Sequence, residues 1–356
     1  MTLATVTLAV LWVGLTLYVL LGGADFGGGV WDLIAGGPER GRETRRLVEH
    51  SLGPVWEANH VWLIFVVVVL WTSFPPVFAS VASTLYIPLT LAALGIIGRG
   101  AAFAYRKVTT QLWQQRLFGA VFAFSSVMTP FFLGAAAGGI ASGRVPLGIA
   151  RGNLVTSWWN PTSVVAGLLA VGTAAYLAAV YLTRDAQRGH AEDLAEYFRR
   201  RALITGVVVG GLAVVGLLVL YLDERSLFVE LTTGRALPLL IVSVVSGVVS
   251  LVLLVRRAFL AVRVTAALAV AGLLWGWGVG QYPMLLPGVT VQEASASRTV
   301  LAASLGALLG GAILLVPSLW WLFHLSQQPT TVRQSDTAPR GGEPPGGEPP
   351  GVEPPD

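Results

Sequence analysis

Long apolar runs, separated by short polar segments, dominate the chain. A run of about 18 or more apolar residues indicates a membrane-spanning helix, because about 20 helical residues cross the hydrocarbon core. The backbone must be hydrogen-bonded internally in lipid, and these runs are too long and too evenly apolar for barrel strands. The pattern predicts an all-α polytopic membrane protein. We predict nine spans, at about residues 3–22, 58–73, 77–98, 117–140, 161–182, 203–222, 237–255, 260–280 and 299–323.

Two polar segments between these runs carry predictions of their own. Residues 73–76 (Ser-Phe-Pro-Pro) separate the second and third spans. Proline cannot donate to the helix ladder and disfavours α-helix at the preceding residue, so we expect a tight turn, with a single kinked segment as the alternative. Residues 184–201 space Leu194, Tyr197 and Phe198 at helical intervals. This spacing predicts a helix that lies on the membrane surface.

The distribution of basic residues predicts the orientation. With the N-terminus outside, 18 of the 23 Lys and Arg residues fall in inner loops or the tail, Arg99 among them. Cytoplasmic loops carry such an excess, so the C-terminus is expected in the cytoplasm. This asymmetry also explains the net charge of +4 without a nucleic-acid partner. Apolar residues make up 54% of the chain and charged residues 12%, about half the charged fraction of a soluble domain.

Composition also divides the chain into two parts. Residues 1–325 form the predicted transmembrane helical domain, and residues 326–356 form a Pro/Gly-rich segment that ends in Gly-Gly-Glu-Pro-Pro and Gly-Val-Glu-Pro-Pro repeats. Such a segment buries too little apolar surface to order itself, so we expect a disordered cytoplasmic tail. The chain contains no cysteine, which excludes disulfides, thiolate metal sites, iron–sulfur clusters and cysteine nucleophiles.

The candidate chemistry lies where the first span ends and the second begins. Ionisable residues at membrane depth are costly and are functional candidates. Asp25 follows the first span, while Glu57, Asn59 and His60 open the second, with Glu57 and His60 on one helix face. We interpret these residues as a proton uptake path at the inner membrane boundary. The alternatives are carboxylates that meet water or arginine, and a His60 that packs between helices or binds a heme or metal. Asp32 is expected to face solvent.

Glycine residues four positions apart recur in the apolar runs. This spacing allows helix backbones to approach closely in a membrane and predicts helix packing rather than ligand binding. The pairs are Gly134 and Gly138, Gly206 and Gly210, Gly272 and Gly276, and Gly306 and Gly310.

Several motifs resemble those of cytochrome bd quinol oxidase subunit II. Residues 23–29 (Gly-Ala-Asp-Phe-Gly-Gly-Gly) are similar to the stretch that closes that family's first helix. Residues 54–64 (Pro-Val-Trp-Glu-Ala-Asn-His-Val-Trp-Leu-Ile) resemble its most distinctive motif. Within it, Glu-Ala-Asn-His resembles the sequence found in the cyanide-insensitive branch of the family. Further matches, in the family's order over residues 1–325, are Phe74-Pro75, residues 99–106, residues 152–154, residues 159–161, residues 281–283 and Leu286-Pro287.

The resemblance implies a fold and a role. It implies two four-helix bundles plus one extra helix, in a bacterial or archaeal cytoplasmic membrane. A partner, subunit I, would carry the b-type and d-type hemes and the quinol site. Subunit II would ligate no heme and would help to deliver cytoplasmic protons for the reduction of O₂ to water. Asp25 and Glu57 match the acidic positions of that path, and Trp56 matches the tryptophan beside them. Asn59 and His60 would orient Glu57 or a water, and Arg99 opens the arginine motif.

The chain departs from the family pattern at three positions. Gly22 and Ala104 stand where relatives carry acids, and an acid near Gly119 is also missing, so the path here is expected to be shorter, to use water or to take another route. Two functions other than the oxidase subunit also stay open: a secondary transporter, and a purely structural or assembly subunit. The sequence leaves open whether quinol is ubiquinol or menaquinol, whether small accessory subunits bind, and whether a structural quinone or lipid fills a gap between helices.

Overall fold

The structure is a computed structural model that describes residues 2–37, 41–52, 56–109 and 111–326. Within helices, the side chains of residues 52, 56, 57, 107, 112, 323, 325 and 326 are outside this description. Of the predicted disordered tail, residues 326–356, Ser326 is the last residue of a helix, and residues 327–356 lie outside the described residues.

The described chain is almost entirely helical. In chain order the α-helices are α1 (Leu3–Leu17), α2 (Gly23–Ile34), α3 (Arg42–Leu52), α4 (Trp56–Ser73), α5 (Pro75–Thr84), α6 (Tyr86–Val108), α7 (Leu112–Ala141), α8 (Pro161–Arg188), α9 (Glu192–Asp223), α10 (Arg225–Thr232), α11 (Leu237–Val255), α12 (Phe259–Gln281), α13 (Val291–Ala294) and α14 (Arg298–Ser326). A π-helical turn, Tyr18–Gly22, joins α1 to α2. Strands β1 (Met284–Leu286) and β2 (Val289–Thr290) pair antiparallel.

The prediction of an all-α polytopic membrane protein is confirmed. Eight helical segments of the described chain are long and apolar enough to cross a membrane, and Ala58–Ser73 forms a shorter apolar helix. Together these nine segments correspond to the nine predicted spans. The orientation, with the N-terminus outside, stays a prediction.

The third span was predicted in the wrong place. Helix α4 ends at Ser73 as expected, but α5 stops at Thr84, and the membrane-length helix is α6. Proline explains the shift, because Pro88 lies in the first turn of α6, where a missing N–H costs no helical hydrogen bond. Arg99, which we assigned to an inner loop, therefore lies inside a membrane-length helix.

Two helices are longer than hydropathy suggested. The first span continues through the π-helical turn to Ile34, so Asp25 lies within a helical segment rather than after it. Residues 192–201 continue directly into the span of α9, and Phe198 is fully buried against Trp31. The residues 184–201 that we expected on the membrane surface thus divide between the end of α8 and the beginning of α9, and the buried Phe198 contradicts a surface position for that side chain.

In chain order, the long apolar helices form a first and a second group of four. The first group contains the α1–α2 segment, α4, α6 and α7, and the second contains α8, α9, α11 and α12. Helix α8 also packs against α2 and α7 and so joins the groups, while α14 lies against α1 and α4. The largest buried apolar cluster is built around α8, with contributions from α2, α3, α9 and α12.

Close helix approach depends on only some of the glycines that the sequence singled out. A Cβ atom at Gly134 or Gly138 would collide with the backbone of α8, and one at Gly272 would press on the backbone of α11. Gly210, Gly306 and Gly310 face no atom of the described chain within 4 Å, so the packing prediction stays a prediction there. The tightest approach is at Gly27, where a Cβ would overlap the Ala174 carbonyl of α8.

We predict that Gly27→Ala separates α2 from α8 and destabilises the protein. Overpacking of this kind costs about 1–3 kcal/mol, and here the obstacle is backbone, which cannot rotate away. The measurement is the midpoint of thermal unfolding of purified protein, followed by size-exclusion chromatography. Gly23→Ala is the matched control on the same helix, because its Cβ would meet no atom within 4 Å. Equal midpoints for the two variants would contradict the close packing of α2 on α8.

Candidate functional site

Asp25 is the carboxylate at the centre of the site. It lies in the first turn of α2, directly after the π-helical turn, and its side chain is buried. The side-chain amide of Asn59, itself buried on α4, donates a hydrogen bond to Asp25 Oδ2. π-helical turns are rare and are frequently found at functional sites. The structure thus brings together Asp25 and Asn59, two of the predicted site residues.

Arg99 places a buried guanidinium beside this carboxylate. Its Nη2 donates to the main-chain carbonyl of Asp25 at 2.8 Å, and its Nε donates to Ser126 Oγ at 3.2 Å. The rings of Phe26 and Phe122 lie 5.1 and 5.0 Å from Arg99 Cζ, within the range of a cation–π interaction. Buried charges need such compensation, because removing them from water costs several kcal/mol. A carboxyl group of α2 and a guanidinium of α6 therefore lie buried in one layer of the bundle.

Aromatic and amide groups complete the surroundings of Asp25. The ring of His60 lies 6.3 Å from that of Tyr18 and 5.8 Å from that of Phe26, measured between centroids. The Tyr18 hydroxyl and Asn59 Oδ1 are buried and have no hydrogen-bond partner in the described chain. Buried polar atoms are nearly always hydrogen-bonded to protein or to ordered water. These two groups could therefore hold water next to the carboxylate.

The side chains of Trp56 and Glu57, predicted as part of the site, lie outside the described residues. Their backbone forms the first turn of α4, two residues before the Asn59 that contacts Asp25. The beginning of α4 is thus adjacent to α2. The pairing of Glu57 with Asp25 stays a prediction.

A cluster of ion pairs, missed by sequence reasoning, lies two turns further along α2. Asp32 is 6% exposed, so the prediction that it faces solvent was wrong. Arg45 Nε of α3 and Arg106 Nη1 of α6 each lie 2.8 Å from one Asp32 oxygen, and Arg106 Nη2 lies 3.5 Å from Glu49 Oε1. The seven-residue spacing places Asp32 on the same face as Asp25, about 10 Å along the helix axis. That spacing was visible in the sequence, but the distant arginines were not.

A small cavity lies between the ion-pair cluster and Arg99. Its volume is about 20 Å³, which is room for about one water. Its lining residues are Asp32, Arg45, Val48, Glu49, Arg99, Phe103, Arg106 and Phe122. Polar groups therefore continue from the cluster, through this cavity, to the guanidinium that contacts Asp25. Across the described ranges, His, Asp and Glu side chains form no group of three that could hold a metal ion.

We predict that Asp32→Asn destabilises the protein by about 3 kcal/mol, because it removes the carboxylate that pairs with Arg45 and Arg106 and leaves Arg106 only its longer contact with Glu49. The midpoint of thermal unfolding should fall accordingly. Glu49→Gln is the matched control: Glu49 is 43% exposed, and exposed ion pairs contribute about 1 kcal/mol or less. If both variants unfold like the unmodified protein, the cluster does not hold α3 and α6 to α2.

Comparisons with known proteins identify the family. The family described as cytochrome bd terminal oxidase subunit II matches residues 3–326. Cytochrome bd ubiquinol oxidase subunit 2 of Bacillus subtilis (strain 168) is 35% identical over 129 residues, which is 36% of each chain. Cytochrome bd-I ubiquinol oxidase subunit 2 of Escherichia coli (strain K12) is 28% identical over 46% of this chain and 44% of its own. The matched regions thus span less than half of these two relatives.

The fold is shared with a solved structure. A chain of the bd oxidase from Geobacillus thermodenitrificans superimposes with a TM-score of 0.72 at 23% sequence identity, covering 91% of this chain and 98% of that chain. This likeness establishes the fold alone, while the family match extends over almost the whole described chain. The resemblance found in the motifs is confirmed: this multi-pass membrane protein belongs to the cytochrome bd terminal oxidase subunit II family.

Proposed function

We propose that the chain is the heme-free subunit II of a cytochrome bd-type quinol:O₂ oxidoreductase. In this proposal it pairs with a heme-bearing subunit I and helps to deliver cytoplasmic protons for the reduction of O₂ to water. Family membership supports the assignment to the complex. The observation that carries the proton role is the buried Asp25, hydrogen-bonded by Asn59 and adjacent to Arg99.

The surroundings of Asp25 suit a group that both accepts and releases a proton. Burial favours the neutral carboxyl, whereas the Arg99 guanidinium favours the carboxylate, so each protonation state has a stabilising influence. The Asn59 amide fixes Oδ2 by donating to it and leaves Oδ1 to exchange a proton with water or a neighbouring acid. Partner hemes would supply the electron transfer, and this chain would hold and move protons.

Glu57 is the proposed proton donor to Asp25. Glu57 lies in the first turn of α4, two residues before Asn59, so a proton that reaches Glu57 is within one helical turn of the residue that contacts Asp25. If quinol is oxidised near the outer face while protons are taken up from the cytoplasm, charge crosses the membrane without a dedicated pump. The complex would then contribute to the proton motive force.

The alternative to proton transfer is a purely structural role for the Asp25 site, and one observation favours it. Arg99 contacts the main chain of α2 and Ser126 of α7, so it ties three helices together whether or not Asp25 transfers protons. A structural carboxylate predicts lost assembly on mutation. A proton-transferring carboxylate predicts lost turnover in an intact complex.

We expect the complex purified through a tag on this chain to contain a larger subunit and both heme types. A reduced-minus-oxidised spectrum should show bands of b-type and d-type hemes. Denaturing electrophoresis should show the second chain. A chain that purifies without heme or partner would overturn the oxidase assignment and bring the transporter alternative forward.

We predict that Asp25→Asn slows O₂ consumption by at least about tenfold at equal heme content, because positioned acids and bases contribute large rate factors. Glu57→Gln should behave alike. Turnover is measured with an oxygen electrode, and proton uptake with a pH dye in liposomes. Glu43→Gln, an exposed acid on α3, is the control and should be unaffected. Normal turnover in both Asp25→Asn and Glu57→Gln would exclude the proton role, and loss of heme in both would indicate a structural one.

A further inference from the structure

An open groove lies between the end of α8 and the beginning of α12. Its volume is about 410 Å³. Arginines and a glutamine line one end of it, and apolar side chains line the other. The lining residues are Arg184, Gln187, Arg257, Ala258, Phe259, Leu260, Ala261 and Val264. This groove belongs to the second group of helices and is separate from the Asp25 site.

The polar end of the groove carries uncompensated positive charge. Arg184 donates from Nη1 to the neutral Gln187 Oε1 at 2.5 Å, and its Nε is buried without an acceptor in the described chain. Arg257 lies 3.3 Å from Glu196, but Glu196 also pairs with Arg199 and Arg200. One carboxylate is thus shared by three guanidiniums, and the groove favours an anion.

The apolar end continues as a stripe along α12. Leu260, Val264 and Leu268 follow one another at intervals of four residues and are 62%, 58% and 47% exposed. Residues four apart lie on one helix face, so the stripe extends about 12 Å along a membrane-length helix. The neighbouring Arg263 is bound instead to Asp185 and to the Tyr181 carbonyl. The stripe is therefore purely apolar and begins where the two arginines lie.

We propose that this groove binds an anionic phospholipid, with the phosphate between Arg184 and Arg257 and an acyl chain along the stripe of Leu260, Val264 and Leu268. Basic pockets at the cytoplasmic ends of membrane helices bind anionic headgroups, and each basic residue adds to the attraction. A free phosphate would use the arginines but not the stripe, and a neutral lipid would use the stripe but not the arginines. An anionic phospholipid uses both. The proposal does not depend on the oxidase role.

The test is native mass spectrometry of the purified complex titrated with dioleoyl phosphatidylglycerol and, separately, with dioleoyl phosphatidylcholine. We expect Arg184→Gln and Arg257→Gln each to weaken phosphatidylglycerol binding about fivefold, and the double variant about 25-fold. Phosphatidylcholine binding should not change. Arg256→Gln is the matched control, because Arg256 is exposed beside Arg257 but does not line the groove. Unchanged phosphatidylglycerol binding in the double variant would overturn the proposal, as would an equal loss in Arg256→Gln.

Two further experiments identify the molecule that binds in the groove without relying on those variants. Inorganic phosphate at millimolar concentration should not displace phosphatidylglycerol, and full displacement would mean that the groove is a phosphate site. In the unmodified protein, phosphatidylglycerol with a photoreactive acyl chain should label the segment 260–268 in preference to the exposed faces of α9 and α11. Uniform labelling of all lipid-facing helices would contradict a built site. A cross-link from a photoreactive residue at position 264 to a partner subunit would assign the groove to that subunit.

Discussion

The burial of opposite charges in one layer of an apolar bundle is the constraint on which the first helix group depends. Neither Asp25 nor Arg99 could remain charged there alone, because an uncompensated ion in a low-dielectric interior costs several kcal/mol. The compensation comes from three different helices. Asn59 of α4 donates to the carboxylate, Ser126 of α7 accepts from the guanidinium, and α2 supplies both Asp25 and its carbonyl. These hydrogen bonds therefore link α2, α4, α6 and α7 around the two buried groups.

That packing requires the helices to approach more closely than ordinary side chains permit. A Cβ at Gly29 would overlap the Ser126 hydroxyl, and one at Gly27 would overlap the Ala174 carbonyl. The two glycines lie on one short stretch of α2 but face different neighbours, α7 and α8. The same stretch thus brings Ser126 within reach of Arg99 and joins the two helix groups. A side chain at either position would disturb the charge layer and the junction of the groups together.

Hydropathy was sufficient to locate nine apolar helical segments and to single out Asp25 as an acid within them, because both follow from the rarity of charge in apolar runs. Hydropathy failed where local backbone geometry determines the residue at which a helix begins. Pro88 fits within the first turn of α6, so the third span begins later than its apolar run and takes Arg99 into the bundle. It failed again for Asp32, whose arginine partners lie 13 and 74 residues away along the chain. Single-sequence patterns report burial along one helix and say little about contacts between helices.

Electrostatics also distinguishes two routes by which a proton could reach Asp25, one through the cavity beside the Asp32 cluster and one along α4. The cavity that leads from the Asp32 cluster is lined by three arginines, Arg45, Arg99 and Arg106, against two carboxylates. An excess of positive charge disfavours a hydronium ion, so this cavity is a poor route for protons even where it holds water. The approach along α4 reaches the carboxylate beside the neutral Asn59 amide, whose donation to Oδ2 leaves Oδ1 to take the proton. Under the proposed function, protons therefore arrive from the α4 side, and the ion-pair cluster seals α3 and α6 against α2 while Arg99 balances the charge that Asp25 carries between transfers.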